Sequence, residues 1–125
     1  MSPRHHRLPP TAARARRVAR AAPLFAALGD ETRLFIVARL AAGQPMSIVR
    51  LAAGTGVTRQ AVTKHLRVLS SAGFVRDRRA GRERVWELEP QPLLEAQRSL
   101  ARISAQWDEA LGRLKVFVEE GTERR

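Results

Sequence analysis

The segment TRQAVTKHLRVL, residues 58–69, constrains the fold more than any other part of the sequence, because its two sides differ chemically. Val62, Leu66 and Leu69 recur at intervals of four and three residues, which places them on one side of an α-helix. Basic and hydrogen-bonding side chains fill the other side, and none of them is acidic. The spacing therefore predicts an amphipathic helix that packs on a core and presents a polar face to a partner.

The net charge restricts the kind of partner that this polar face can meet. The chain of 125 residues has a formal charge of +11 and contains 21 Arg but only 2 Lys. A charge of this size favours nucleic acid or an acidic membrane surface. Arginine can hold a phosphate or a guanine edge with two parallel hydrogen bonds, although a coding bias towards arginine explains the ratio of Arg to Lys equally well.

The residue types argue against several other functions. The chain has no Cys, which excludes disulfides and thiolate metal sites, and nothing indicates a cofactor. His5 and His6 lack further ligands nearby, and His65 is better explained by packing or by a phosphate contact, so we expect no metal site. Without a nucleophile or a phosphate loop the sequence does not indicate an enzyme. No apolar run approaches the roughly 20 residues that span a membrane, so we expect a cytoplasmic protein.

The chain before the amphipathic helix divides into a tail and three helices. Residues 1–20 contain six Arg, three Pro and no acid, which predicts a disordered basic tail. Leu24 and Phe25 then mark the apolar face of a first helix. Asp30 is a suitable N-cap for a second helix, and Ser47 for a short third one.

A turn and a hairpin flank the amphipathic helix. Gly54-Thr55-Gly56 predicts a tight turn before Thr58, which caps the helix, so the third and fourth helices form a helix-turn-helix. Further on, FVRDRR and RERVWEL flank Ala80-Gly81 and predict a β-hairpin with an arginine-rich tip. Glu87 and Glu89 share one face of it, and without a metal ligand or nucleophile beside them they indicate a solvated strand end.

The last segment, residues 91–120, predicts a long amphipathic helix, because its apolar residues recur every three to four positions. A helix of about seven turns needs a surface to lie against. The core can cover part of it, and we expect a second copy of the chain to cover the rest.

The predicted fold is mainly α with a small β-hairpin, in the order α-α-α-α-β-β-α, and this order resembles a winged helix-turn-helix. LGDETRLFIVARL (28–40) resembles the "ADxTRxxIL" opening of the ArsR-type, arsenic-repressor-like family. VTRQAVTKHLRVLSSAGFV (57–75) resembles its "SQxxVSxHLxxLxxAGLV" segment, and GRERVWEL (81–88) its "GRxxxYxL" wing. Together these motifs cover about residues 22–90.

The resemblance implies a homodimeric bacterial transcription factor, usually a repressor. Residues 21–90 would form the DNA-binding domain, and 91–120 would be the dimerisation helix. The helix from Thr58 would be the recognition helix in the major groove, and the hairpin would be the wing. The first and last helices would form the dimer through Leu24, Phe25, Leu93, Leu100, Ile103, Trp107, Leu111 and Leu114.

The predicted DNA contacts divide between bases and phosphates. In a helix-turn-helix the N-terminal residues of the recognition helix generally touch bases, which favours Arg59, Gln60 and Thr63. Lys64 and Arg67 are placed to meet phosphates. The predicted interface also includes Thr58, His65, Arg78, Arg79, Arg82 and Arg84.

Two departures from the family pattern bear on specificity and control. Arg59 stands where the family often has Gln, so the base preference can differ. Many relatives sense metal through a Cys pair in the helix at 47–53, or through Asp and His on the last helix. Here 46–53 reads MSIVRLAA and the last helix has no His, so we expect no metal sensing. Control by an organic ligand, by a partner protein or by dimer concentration stays open.

Two other functions compete with sequence-specific regulation. A winged helix can serve as a protein–protein interaction module. A strongly basic chain can also bind nucleic acid without sequence preference. An acid-free recognition face and an arginine-rich hairpin favour specific binding to double-stranded DNA.

Overall fold

The computed structural model describes residues 10–123, which form six helices and one antiparallel hairpin. Residues Ala21–Ala96 form one compact unit, and the described residues on either side of it form a second. The predicted fold class is confirmed, with one helix more than expected at the start. The elements are α1 (Pro10–Ala19), α2 (Ala22–Leu28), α3 (Glu31–Ala42), α4 (Ile48–Ala52), α5 (Arg59–Ser71), β1 (Val75–Ala80), β2 (Glu83–Leu88) and α6 (Pro90–Glu123).

The helix α1 shows that the disorder predicted for the first 20 residues is wrong from Pro10 onwards. Alanine and arginine, which make up most of this helix, are both good helix formers, and proline is favourable at the first helical position. Basic residues in the last turn complement the helix dipole. In this segment helix propensity therefore outweighs the charge and proline content that favour disorder. Residues 1–9, with His5 and His6, lie outside the described residues.

Side-chain caps determine where α3, α4 and α5 begin. Asp30, Ser47 and Thr58 each accept a hydrogen bond from the backbone N–H three residues later, at 3.0, 3.4 and 3.1 Å. All three caps were predicted from the sequence. Gly56 has φ +74°, the left-handed conformation that a residue with a Cβ adopts only with strain, and it turns the chain between α4 and α5.

The core of the Ala21–Ala96 unit confirms the apolar side predicted for residues 58–69. Val62, Leu66 and Leu69 are completely buried in a cluster with residues of α3, α4 and the hairpin. Phe74, which follows α5, is also completely buried in it. Since one side of α5 is fixed in this way, its other side is held in a defined orientation.

Met46, which lies just before α4, links the hairpin to the helices by backbone hydrogen bonds. Ala80 pairs with Glu83, so the two-residue turn is Gly81-Arg82, one position later than predicted. Met46 exchanges two backbone hydrogen bonds with Trp86, at 3.0 and 2.8 Å, and adds a single-residue bridge to β2. The buried Trp86 side chain also belongs to the core cluster, so the hairpin is anchored at its base.

Candidate nucleic-acid interface

The exposed side of α5 presents four side chains that are free to bind a partner. Arg59, Gln60, Lys64 and Arg67 are exposed. Within residues 10–123 their side chains make no ion pair and no hydrogen bond. Three of the four are positively charged, and α5 contains no acid. This face therefore offers hydrogen-bond donors and positive charge to an external acceptor.

The two threonines of the predicted interface are partly engaged within the helix. Thr58 accepts the capping hydrogen bond from Ala61, and the Thr63 hydroxyl donates to the Arg59 carbonyl at 2.9 Å. A hydroxyl that donates within its own helix still has acceptor lone pairs. Thr63 thus keeps an acceptor and a methyl group that can meet a base edge. The Thr58 hydroxyl oxygen is engaged as the N-cap of α5.

His65 lies on the flank of α5 beside the start of α3, where Arg33 contacts it. Arg33 Nη1 lies 3.2 Å from His65 Nδ1. Since a guanidinium group only donates, Nδ1 must accept this bond, and the neutral ring then carries its proton on Nε2. Asp30 Oδ1 lies 3.8 Å from the same nitrogen. The hydrogen bond from the backbone N–H of Arg33, and then the nearby positive charge of Arg33, lower the pKa of Asp30.

Arg33 also stabilises the end of α2. Its Nε donates to the Ala27 carbonyl at 2.6 Å, and Nη2 donates to the Ala26 carbonyl at 3.4 Å. Both carbonyls belong to the last turn of α2, where the last four carbonyls of a helix lack the usual intrahelical partner. The Ala26 carbonyl also accepts a hydrogen bond from the Gly29 N–H at 3.3 Å, and Arg33 adds a second donor there. One side chain therefore ties α2 and α3 to α5. Sequence reasoning missed this role, because the contact with His65 joins residues 32 positions apart.

The arginines of the hairpin fall into paired and unpaired groups. Arg76 Nε lies 2.7 Å from Glu87 and 2.6 Å from Glu89, and Arg78 Nε lies 3.2 Å from Glu87. Hydrogen bonds from Arg76 and Arg78 lower the pKa of Glu87. Arg84 pairs with Asp77 and lies over the ring of Trp86, 5.4 Å from its centroid. By contrast, the two remaining members of the predicted set make no ion pair among residues 10–123. They are Arg79 and Arg82.

A cationic depression of about 440 Å³ lies at the end of the hairpin. Four arginines and one aspartate line it. Exposed ion pairs contribute little stability, so an incoming phosphate can compete for Arg78 and Arg84 as well as meet the unpaired arginines. All four hairpin arginines predicted to contact DNA are thereby brought together around one concavity. The lining residues are Asp77, Arg78, Arg79, Arg82 and Arg84.

The residues predicted for the dimer interface differ in exposure. Trp107, the largest of them, is 63% exposed, and it lies on α6 with three leucines that are also more than half exposed: Leu100, Leu111 and Leu114. Ile103 and Phe25 are half-buried. Leu24 and Leu93 are partly buried against the core of their own unit, which leaves less of each for a partner. Phe117, at 73% exposed, is not among the residues predicted for the interface.

The described residues contain neither a metal-ligand cluster nor a helix of transmembrane character. Nowhere in residues 10–123 do three or more His, Asp or Glu side chains gather closely enough to hold a metal ion. None of the helices there combines the length and the apolar character that crossing a lipid bilayer requires.

The sequence and the arrangement of its elements are similar to those of known proteins. Residues 28–78 match a family model described as a helix-turn-helix domain. The chain is 43% identical over 96 residues to the HTH-type transcriptional regulator Rv2034 of Mycobacterium tuberculosis, over 76% of this chain and 86% of that protein. An ArsR-like transcriptional regulator from a Rhodococcus species superimposes with a TM-score of 0.66 at 38% identity, over 79% of this chain and 92% of that chain.

A third similar structure is described as a homodimer. It is the homodimeric winged helix-turn-helix DNA-binding domain of a possible ArsR-family transcriptional regulator from Mycobacterium bovis. It superimposes with a TM-score of 0.55 at 26% identity, over 87% of this chain and 94% of that one. The chain belongs to the ArsR-like family of winged helix-turn-helix transcriptional regulators. The predicted family and DNA-binding class are confirmed. In the winged helix-turn-helix order, α5 occupies the position of the recognition helix and β1–β2 that of the wing.

Proposed function

We propose that the protein binds an imperfect palindromic operator as a homodimer and represses transcription there. The observation that carries this proposal is the exposed, acid-free side of α5, which is mounted on a completely buried apolar side. An α-helix fits the major groove of B-DNA, where every base pair displays a distinct pattern of donors and acceptors. A helix that is rigidly held and rich in free donors suits that groove.

We assign the base contacts and the phosphate contacts to different side chains. Arg59 and Gln60 stand at the start of α5 and are free to read base edges, with Thr63 as an acceptor one turn later. Lys64 and Arg67, and the unpaired wing residues Arg79 and Arg82, meet phosphates. Arg78 and Arg84 join them by exchanging a carboxylate for a phosphate, since exposed ion pairs are weak.

The second half of α6 supports dimerisation. Trp107 and the neighbouring leucines form an apolar stripe that is mostly exposed in one chain. Residues 91–125 contain six basic and six acidic residues, so a second copy meets no net repulsion there. The similar domain from M. bovis is described as homodimeric. We place the recognition helices of the two copies on either side of a two-fold axis.

Binding, rather than catalysis, is the activity that we assign. The related proteins are transcriptional regulators, and the chain has no Cys or Tyr and only three His. We place the protein in the bacterial cytoplasm, since its proposed ligand is chromosomal DNA.

The test is selection of bound duplexes from a random library by the full chain. We expect an enriched site with two inverted half-sites, with centres about 10–10.5 base pairs apart or a multiple of that distance. Enrichment of a single half-site, bound by one copy of the chain, would overturn the palindrome and the dimer. Absence of any enriched duplex would favour a protein–protein module or non-specific binding.

Two substitutions test the assignment of bases and phosphates, with a third as a matched control. Arg59→Ala should relax one operator position and weaken binding by about 1–3 kcal/mol. Arg82→Ala should weaken operator and scrambled duplex alike and make the salt dependence shallower by about one unit of slope. Arg76→Ala removes the same charge from the hairpin but from an arginine held by two carboxylates, and should change binding least. Sequence-blind losses of equal size from Arg59→Ala and Arg82→Ala would refute the assignment.

A further inference from the structure

We propose that α1 is a second phosphate-binding element, which holds the DNA backbone in addition to α5 and the wing. The inference rests on the proposed function, because it takes DNA as the ligand. Four arginines of residues 10–20 are exposed, and this segment contains no Asp or Glu. Among residues 10–123 none of the four makes an ion pair. They are Arg14, Arg16, Arg17 and Arg20.

The rest of the unit that contains α1 offers these arginines no surplus of acid. The part of α6 in this unit, residues 97–122, carries four basic and four acidic residues, so its net charge is zero. Its Lys115 and Glu119 already lie 4.0 Å apart, one helical turn from each other. The net charge of +4 in residues 10–20 and 97–122 therefore resides on α1 and on Arg20, which directly follows it. An external polyanion is the ligand that balances it.

The side chains of α1 fit a duplex better than they fit other polyanions. Helices that lie on membrane surfaces need large apolar side chains on one face, and Val18 is the only large apolar residue in 10–20. Sequence-specific binding of single-stranded RNA relies on aromatic rings that stack with bases, and this segment has none.

The spacing of the arginines also fits a duplex. DNA carries one charge about every 1.7 Å along its axis. At about 1.5 Å per residue, the stretch from Arg14 to Arg20 extends roughly 9 Å. Each guanidinium group can thus meet a phosphate within a few base pairs. These contacts read no bases, so they should strengthen binding to any duplex.

The experiment compares two full-length variants that lose the same number of positive charges. The test variant is Arg14→Gln/Arg16→Gln/Arg17→Gln/Arg20→Gln. The matched control neutralises the four basic residues of α6 in the same unit: Arg98→Gln/Arg102→Gln/Arg113→Gln/Lys115→Gln. Fluorescence anisotropy gives the Kd for operator and for scrambled duplex between 50 and 200 mM salt, and circular dichroism checks that helicity is kept.

We expect the salt dependence of the α1 variant to be shallower than that of the wild type by about 0.9 units of slope per lost phosphate contact. Over the fourfold rise in salt the wild type then loses about 3.5-fold more affinity per contact than the variant does. The difference should be the same for operator and scrambled duplex. The control variant leaves α6 with a net negative charge, which can weaken the proposed dimer, so both variants are compared at protein concentrations at which sedimentation equilibrium shows a dimer. Under that condition the control should keep most of the wild-type slope, because its four basic residues are balanced by acidic residues of α6 and are not expected to contact phosphates.

Three outcomes would overturn the role of α1. Equal slopes for the α1 variant and the control would show a general charge effect. Loss of the dimer in sedimentation equilibrium, with the wild-type slope restored at higher protein concentration, would show that α1 binds a second copy. Loss of binding to phosphatidylserine vesicles with an unchanged DNA slope would assign α1 to a membrane surface. If the wild type does not prefer operator over scrambled duplex, the proposed sequence-specific function is refuted. The salt slope on scrambled duplex still tests the role of α1 in that case.

Discussion

The helices α5 and α6 carry apolar residues at the same spacing, yet their apolar sides have different surroundings. Val62, Leu66 and Leu69 of α5 are completely buried. On α6, Trp107 is 63% exposed and Leu111 is 54% exposed. These two residues belong to the apolar stripe of α6, as the three buried residues belong to that of α5. The period of apolar residues indicates a helix with a face to bury, but it does not say which molecule buries that face.

The distribution of charge separates the two helices further. The segment that contains α5 and most of the wing, residues 58–84, has eight basic and two acidic residues, whereas 91–125 has six of each. A surplus of positive charge suits a polyanion, and a neutral apolar stripe suits a copy of itself. The polar side of α5 and the apolar side of α6 are therefore the two surfaces through which we expect the protein to meet its partners.

The largest expected effect comes from truncating a side chain on the covered helix. Leu66 is completely buried, and Leu66→Ala removes packing and leaves a cavity, which should lower the free energy of unfolding by about 2–5 kcal/mol. Urea titration followed by circular dichroism measures this loss. It should be the same at low and high protein concentration, because the contact lies within one unit. A loss that vanishes at high concentration would mean that this side of α5 depends on the dimer.

The corresponding change on the uncovered helix should act on assembly. Trp107→Ala removes a large aromatic side chain from the middle of the α6 stripe, and such an anchor in an interface contributes about 2 kcal/mol or more. We expect the dimer Kd to rise at least about 30-fold in sedimentation equilibrium, and operator affinity to fall with it. Ala101→Ser, on an exposed position outside the stripe, serves as the matched control. A Trp107→Ala protein that stays dimeric at micromolar concentration would show that α6 packs otherwise.

The sequence predicted the fold best where local chemistry decides it. The caps Asp30, Ser47 and Thr58 and the turn at Gly56 follow from residue types and spacing alone. The prediction for α1 was wrong because two local rules disagree there: charge and proline favour disorder, while alanine and arginine favour a helix. Met46 gave no signal of its bridge to Trp86, since one residue shows no period.

The sequence predicts which residue types form the candidate interface, but it predicts less well which of their side chains are free of partners within the chain. The donors of α5 are exposed as the amphipathic pattern requires. Whether an arginine of the wing is paired depends on its cross-strand neighbour, such as Glu87 opposite Arg76. The sequence around the turn does not indicate these cross-strand pairs. Arg33 was invisible as a link to His65 because contacts across 32 residues follow from tertiary structure.

Lowering the pH should destabilise the unit that contains α5, by less than the two substitutions described above. The pKa values of Asp30 and Glu87 lie below their ordinary values of 3.8 and 4.5. Both carboxylates therefore stabilise the folded state above those values, and their contribution is lost as pH falls through the lowered pKa values. We expect thermal stability to be flat above about pH 5 and to decline below about pH 4.5. Asp30→Asn keeps a capping side chain but removes one titrating group, so its decline should be shallower. An identical decline in Asp30→Asn and wild type would contradict the assignment to Asp30.

The smallest expected effect, no change at all, concerns metal ions on either helix. Zinc, cadmium and arsenite are held in proteins chiefly by thiolates, with imidazole as an additional ligand for the first two. The chain has no Cys, and its histidines are His5, His6 and His65. His65 has Arg33 on one ring nitrogen, and the exposed stripe of α6 is apolar apart from carboxylates at its margin, such as Asp108 and Glu109. Carboxylates alone suit hard ions such as magnesium, whose cellular concentration changes little.

We therefore expect micromolar zinc, cadmium or arsenite to leave the dimer Kd and the operator Kd unchanged. The measurement is a fluorescence anisotropy titration of the chelator-treated protein–operator complex with each ion, repeated with His65→Gln so that the one described histidine is tested. Both helices should respond alike, because neither offers a soft ligand set. A tenfold loss of operator affinity with any one ion would place a metal site in this chain. Persistence of that loss in His65→Gln would point to the α6 carboxylates or to residues 1–9.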